Sequence, residues 1–288
     1  MADKVTIFEV GPRDGIQNEK AMISTADKIA LIDRLSQTGL RKIEVTSFVG
    51  PKWVPQMADA AVVLAGIRRK TGVTYAALTP NLKGLEAAVS AGADEIAVFA
   101  SASEGFSQKN INCSIADSIE RFEPVLQAAK DIGLPVRGYV SCITDCPYDG
   151  AVAAESVLAV SETLLALGCY EISLGDTIGA ATPEKLEGLL RLLCRHIDAA
   201  RLAGHFHDTH HRALDNIEYA LEFGIRTFDS SVAGLGGCPY APGAKGNVAT
   251  EAAVARLSAL GYDTGVDMQA LENAAAFARQ ITGAAHGI

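Results

Sequence analysis

The sequence predicts an α/β fold of the (β/α)8 type, and three observations lead there. Short β-branched runs alternate with stretches of helical period eight times along the chain, with no linker between units. The 288 residues suit one large α/β barrel. A further helical stretch, roughly residues 268–282, lies beyond the eighth unit. The expectation is therefore a TIM barrel with an extra C-terminal helix, forming a single catalytic domain over residues 1–288. A doubly wound open sheet competes, but it calls for Gly-x-Gly-x-x-Gly after the first strand, and none stands there.

In chain order, strands are expected at residues 6–10, 42–48, 74–78, 95–100, 136–142, 171–175, 203–207 and 227–232, each running into polar or glycine residues. Ser24 followed by Asp27 resembles a capping box and opens the first helix, which Gly39 is expected to close. Thr182 and Pro183 open a later helix whose Leu186, Leu189, Leu190, Leu193 and Ile197 form one apolar stripe. The six cysteines are expected to be reduced. Cys142, Cys169 and Cys194 read as small core residues. Cys142 and Cys146 have loose metal-ligand spacing but lack the second pair that a tetrahedral zinc site needs.

Nearly half the residues are hydrophobic, enough for a sizeable core. The net charge of −9 argues against nucleic acid as a partner. An anionic substrate stays possible where Lys and Arg cluster locally. No apolar run approaches bilayer length. Residues 1–6 enter a strand pattern almost at once, which leaves no room for a signal or transit peptide, and Ala285-His286-Gly287-Ile288 is not a peroxisomal address. A cytoplasmic location is expected.

A barrel gathers polar residues from the carboxyl ends of its strands into one active site. Here the first strand ends in Gly11-Pro12-Arg13-Asp14-Gly15-Ile16-Gln17, and the second contains Glu44 and ends in Thr46-Ser47-Phe48. The sixth ends in Gly175-Asp176-Thr177, and the seventh carries His205 and His207. After the eighth comes a glycine-rich loop from Gly234 through Cys238 to Asn247. Side chains at i and i+2 of a strand share a face, so His205 and His207 can reach one metal ion. On spacing alone the pair fits equally well one buried and one surface histidine. Any single carboxylate fits a surface charge or helix cap, whereas so many polar residues at strand ends favour a site.

These residues make a family recognisable. The chain closely resembles the 3-hydroxy-3-methylglutaryl-CoA lyases, within a superfamily of metal-dependent barrel lyases and Claisen-type synthases. The likeness spans about residues 5–275 and includes Gly11-Pro12-Arg13-Asp14-Gly15, Glu44-Val45-Thr46-Ser47-Phe48, Pro51-Lys52-Trp53-Val54-Pro55-Gln56-Met57, Lys109-Asn110-Ile111-Asn112-Cys113-Ser114 and Ser173-Leu174-Gly175-Asp176-Thr177. The loop around Cys238 is the part particular to the lyases.

The resemblance implies a divalent metal held by Asp14, His205, His207 and Asn247. One carboxylate, one amide oxygen and two imidazoles with open positions suit octahedral Mg2+ or Mn2+ better than closed tetrahedral zinc. It implies a retro-Claisen cleavage in which Asp14 or His205 takes a proton, Arg13 steadies the enolate oxygen and Cys238 acts as general acid/base. Glu44 and Asp176 are expected to hold Arg13 and the metal-site residues, and Arg13 and Gln17 to touch the acyl-CoA substrate. For Arg13 a salt bridge to Glu44 is an alternative compatible with that role; for Gln17, capping of the first loop is equally open. Lys52, Lys83 and Lys109 fall in loops at the expected mouth, without assigned phosphate contacts. Homodimerisation is a family expectation.

The chain departs from the family pattern at His210-His211-Arg212, where Tyr-Gly-Gln is usual, and at Pro242, Lys245 and Thr144-Asp145. None is an expected ligand or acid/base group, and the basic triplet bears on the pocket wall or a subunit contact, hence on acyl-chain preference rather than on the chemistry. A thiol switch in a cysteine-bearing tail, as in some animal relatives, is not expected. Two other readings stand: a related carbon–carbon enzyme (a lyase for longer 3-hydroxyglutaryl-CoA analogues or a Claisen synthase), and a non-enzymatic metal-binding barrel. The second leaves the convergence of Arg13, Asp14 and Cys238 unexplained.

Overall fold

The structure, a computed structural model, describes residues 3–19, 21–236 and 246–283. Eight parallel strands close into a barrel in which sequence neighbours are spatial neighbours. They are β1 (Thr6–Glu9), β2 (Lys42–Ser47), β3 (Thr74–Leu78), β4 (Glu95–Ser101), β5 (Val136–Ser141), β6 (Glu171–Asp176), β7 (Leu202–Phe206) and β8 (Thr227–Ser230). Pairing of Thr6 with Thr227 through Glu9 with Ser230 closes the ring. Every expected strand is present to within two residues. The eighth is shorter than expected because the chain coils at Val232–Gly234 into a 3-10 turn.

The outer ring contains α1 (Thr25–Leu35), α2 (Ala60–Gly66), α3 (Leu82–Ser90), α4 (Glu104–Ile111), α5 (Ile115–Asp131), α6 (Ala154–Leu167), α7 (Pro183–His196), α8 (Ala213–Glu222) and α9 (Thr250–Ala259). A last helix, α10 (Met268–Thr282), packs beside α1, where Arg34 lies 4.0 Å from the Phe277 ring centre. The Ser24 hydroxyl accepts from the Asp27 amide at the start of α1, and Thr182 does the same for Lys185 at α7. The leucine stripe of α7 is buried against the barrel. Gly39 does not close α1, which ends at Leu35 with Ser36 as its cap. Gly39 instead turns the chain into β2 at a φ of +92°, where a Cβ would meet the Gly265 carbonyl oxygen at 2.1 Å. Among the described residues no helix is long and apolar enough to cross a membrane.

Two-residue alternation divides the strands. Ile7, Ile43, Val45, Ile96, Val98, Val140, Ile172 and Leu174 join the large core beneath the helices. The alternate positions face the barrel axis. Some are apolar, as in the small clusters of Phe8, Val10 and Ala76 and of Leu78, Ala97 and Tyr139. The others are charged: Glu44, Glu95, Arg137, Glu171 and Asp229 are all buried. Branched apolar side chains usually fill such an interior. Charges survive there only when paired, and here they are. Lys42 bonds Glu95, and Arg137 bonds both Glu171 and Asp229.

Candidate active site at the barrel mouth

Beyond β1 the chain forms a single π-type turn, Gly11–Gly15, in which the Val10 carbonyl receives amides from Arg13 at 3.1 Å, Asp14 at 2.7 Å and Gly15 at 3.3 Å. On a strand, adjacent side chains would diverge. This turn brings them together, and Arg13 Nη1 donates to Asp14 Oδ1 at 2.5 Å. Arg13 Nε donates to Glu44 Oε2, also at 2.5 Å, so one guanidinium bridges strand ends one and two. The Tyr139 hydroxyl donates to the same Glu44 oxygen at 3.2 Å.

His205 sits on β7 in register with Gly175 and Asp229. His207 lies just past the strand and forms an isolated antiparallel bridge with Asn247. That pairing, with the Asp208 amide donating to the Gly246 carbonyl at 2.6 Å, returns the chain after β8 to the end of β7. Asn247 Nδ2 donates to Asp14 Oδ2 at 2.8 Å and to the Leu235 carbonyl at 3.3 Å. Residues 233 positions apart thus meet. Asp14, His205 and His207 each offer one ligand atom, and the three atoms lie within 4.8 Å of one another. His207 Nδ1 is buried and has no hydrogen-bond partner. The backbone of Thr177 approaches the same ring.

The electrostatics keep this set ready for a cation. Burial opposes ionisation of Asp14, but the Arg13 and His205 charges and the Asn247 amide outweigh it and hold the carboxyl at about 2. Burial, then repulsion from His205, lowers His207 to about 4, so its ring is neutral near pH 7. For His205 burial is outweighed by the hydrogen bond and charge of Asp229 and by Asp14, which raise its pKa. Burial raises Glu44 against the opposing Arg13 charge.

Asp176 is buried, and burial raises it to about 6 although the Ala180 and Ala181 amides donate to it at 3.0 and 3.1 Å. These bonds brace the loop that begins with Thr177, the residue in contact with His207. Gln17 Nε2 stands 3.4 Å from Asp14 Oδ1. Lys52, Lys83 and Lys109 are exposed. Cys238, with Pro242 and Lys245, lies outside the described residues.

Sequence reasoning passed over Asp229 and Arg137. Asp229 is fully buried, 3.1 Å from His205 Nδ1, and joined to both terminal nitrogens of Arg137. The signal was present: a charged residue at the centre of a short apolar strand is rarely buried without a partner. Glu9 was missed as well. Its carboxylate accepts from the Gly11 amide at 2.8 Å, the Val232 amide at 2.9 Å and the Thr250 hydroxyl at 2.6 Å, tying the turn that carries Asp14 to the segment after β8.

Fold and site together define a class: a (β/α)8 barrel with a carboxylate and two imidazoles gathered at the carboxyl ends of its strands. The chain belongs to the HMGL-like family, whose model matches residues 4–278. It is 60% identical, over 94% of its length and 90% of the relative's, to the 3-hydroxy-3-isohexenylglutaryl-CoA/hydroxy-methylglutaryl-CoA lyase of Pseudomonas aeruginosa. It is 55% identical to the mitochondrial hydroxymethylglutaryl-CoA lyase of Gallus gallus over 95% of this chain and 92% of that one. The crystal structure of the HMG-CoA lyase from Brucella melitensis superposes with a TM-score of 0.97 at 57% identity, covering 98% of this chain and all of that one.

Proposed function

We propose that this chain is a carbon–carbon lyase that cleaves 3-hydroxy-3-methylglutaryl-CoA to acetyl-CoA and acetoacetate with the help of a divalent cation. The observation that carries the reading is the meeting of Arg13, Asp14, His205 and His207 at one point of the barrel mouth, in a chain 60% identical to a lyase for this class of thioester. The buried, unpartnered His207 Nδ1 and the donor set fit a cation, which Asp14, His205, His207 and Asn247 would hold. Mixed oxygen and imidazole donors with room for substrate suit Mg2+ or Mn2+. When bound, the ion supplies Lewis-acid polarisation of substrate oxygens.

The chain's own groups supply the rest. A base, Asp14 or His205, takes the proton of the tertiary hydroxyl. An imidazole nitrogen has one lone pair, so His205 Nε2 serves as ligand or as proton acceptor, not both at once. As the bond between C2 and C3 breaks, C3 becomes the ketone of acetoacetate and the electron pair passes to the thioester as an enolate. Arg13 faces that oxygen with Nη2, because its Nε and Nη1 already bond Glu44 and Asp14. Cys238 then delivers a proton to C2, giving acetyl-CoA. Glu44 fixes the guanidinium, Asp176 braces the loop behind His207, and Gln17 lies within reach of bound substrate. Lys52, Lys83 and Lys109 are positive groups available to CoA phosphates.

A second reading, cleavage of longer 3-hydroxyglutaryl-CoA analogues by the same steps, is favoured by the isohexenyl substrate in the name of the Pseudomonas aeruginosa relative. We further propose a homodimer of one-domain subunits, as the family resemblance implies, and a cytoplasmic location, as expected from the sequence. The named relatives are mitochondrial in some cases and cytoplasmic in others. The decisive assay is metal-stripped protein given Mg2+ or Mn2+ and 3-hydroxy-3-methylglutaryl-CoA. Release of acetyl-CoA and acetoacetate is expected; absent or metal-independent cleavage sinks the proposal. The isohexenyl analogue in the same assay decides between the two substrates.

A further inference from the structure

We infer that Asp229 is a positioning residue that locks His205 in the tautomer whose free lone pair is on Nε2, while His207 offers its buried, unpartnered Nδ1. The inference rests on reading both histidines as cation ligands. It concerns which nitrogen of each ring is offered, and which residues decide it.

Asp229 lies beside His205 in the ladder between β7 and β8, and its Oδ2 is 3.1 Å from His205 Nδ1. An ionised carboxylate only accepts hydrogen bonds, so the nitrogen facing it must carry the proton. A neutral ring then has its one lone pair on Nε2. Asp229 itself has no freedom to turn. The Ser173 hydroxyl donates to Oδ2 at 2.7 Å, Arg137 Nη1 to Oδ2 at 3.0 Å and Arg137 Nη2 to Oδ1 at 2.8 Å. The guanidinium is pinned in turn, with Nε donating to Glu171 Oε1 at 2.7 Å and its carbon 4.2 Å from the Phe8 ring centre. The result is a rigid chain, Glu171–Arg137–Asp229–His205, running from the barrel interior to its mouth. The paired charge of Arg137 also keeps Asp229 ionised, and an ionised acceptor is what fixes the tautomer.

His207 is treated in the reverse way. Its Nδ1 is buried without a partner, so that nitrogen is the one left to meet a cation. A His-x-His pair held in a single tautomer class would offer the same atom twice. Here the second ligand lies just past the end of β7, on the bridge to Asn247, and the nitrogen it offers is Nδ1.

Two measurements test this, neither depending on turnover. Long-range 1H–15N correlation spectra of the metal-free protein near pH 8 should show His205 protonated on Nδ1 and His207 on Nε2. The other tautomer at His205 overturns the inference even if no variant folds. Mn2+ titration followed by electron paramagnetic resonance should give Asp229→Asn an affinity about 10–100-fold weaker than wild type, the usual effect of removing such an outer partner. His205→Ala is the reference. If it binds Mn2+ like wild type, the cation site itself is misread. If it binds weakly while folded Asp229→Asn binds like wild type, Asp229 is merely structural and the inference fails alone.

Discussion

His205 and His207 reach the same point by different routes, one on the barrel's hydrogen-bond ladder and one on a bridge to Asn247. That difference shows what a linear pattern can encode. The i, i+2 spacing announced a shared face, and the burial of both rings beside Asp14 agrees with it. What spacing does not encode is the orienting partner: Asp229 follows His205 by 24 residues and reaches it only because β8 pairs with β7. Cys238 is the complementary case, legible from its glycine-rich setting and family likeness but outside the described residues. At this scale the sharpest expectation is that Cys238→Ala lowers kcat by about 10²–10⁴-fold, the usual worth of a positioned acid, while Mn2+ and substrate binding persist. Near-wild-type kcat would refute the role.

Single elements decide whether the site is held open or crushed. The π-type turn after β1 was not legible in Gly11-Pro12-Arg13-Asp14-Gly15, because a break after a strand looks the same whether the chain loops outward or coils in place. Its consequence is that Arg13 and Asp14, adjacent in sequence, point the same way. Gly236 is the matching constraint on the other side. It adopts φ of +93°, and a Cβ there would lie 2.9 Å from Asn247 Nδ2 and 3.1 Å from the Gly15 Cα. Gly236→Ala should therefore cost about 1–3 kcal/mol in urea unfolding and weaken Mn2+ binding together, since strain and displacement of Asn247 share one cause. Loss of stability with unchanged Mn2+ affinity would separate the turn from the site.

For the whole molecule, the alternation of eight strand and helix signals was enough to identify the barrel, because each unit buries its apolar side against its neighbours by the same rule. The ionic interior was harder to foresee. Arg137 and Asp229 read individually as ordinary strand charges, and only closure of the ring brings them into contact. That network sets the acid response. In the folded protein Asp14 is held at about 2, where burial raises its pKa but the Arg13 and His205 charges lower it further; Asp229 is depressed too, its own burial outweighed by Arg137 and His205. A depressed carboxylate contributes stability that is present above its unfolded value near 4 and is lost as pH falls through the folded value. Glu9 and Asp176, raised mainly by burial to about 7 and about 6, shift in the opposite sense, but the folded forms are already protonated at pH 4, so below it they oppose the loss by less than about 1 kcal/mol together. From pH 4 to 2 the metal-free protein should therefore lose stability. Asp14→Asn should lose roughly 2 kcal/mol less over that interval in urea unfolding. An identical loss in both proteins would place the acid sensitivity elsewhere.

The hydrogen bond between Asn247 and Asp14 spans the seam where the last strand meets the first. Contacts between chain ends are the most expensive to form in loop entropy and are made late in folding. A cation held there should act on the kinetics of opening rather than of assembly. Saturating Mg2+ is expected to slow unfolding and leave the refolding rate nearly unchanged, as for any interaction absent from the folding transition state. The ion would then be a clasp as well as a reagent, and a chain that has not finished closing would have no means of binding it.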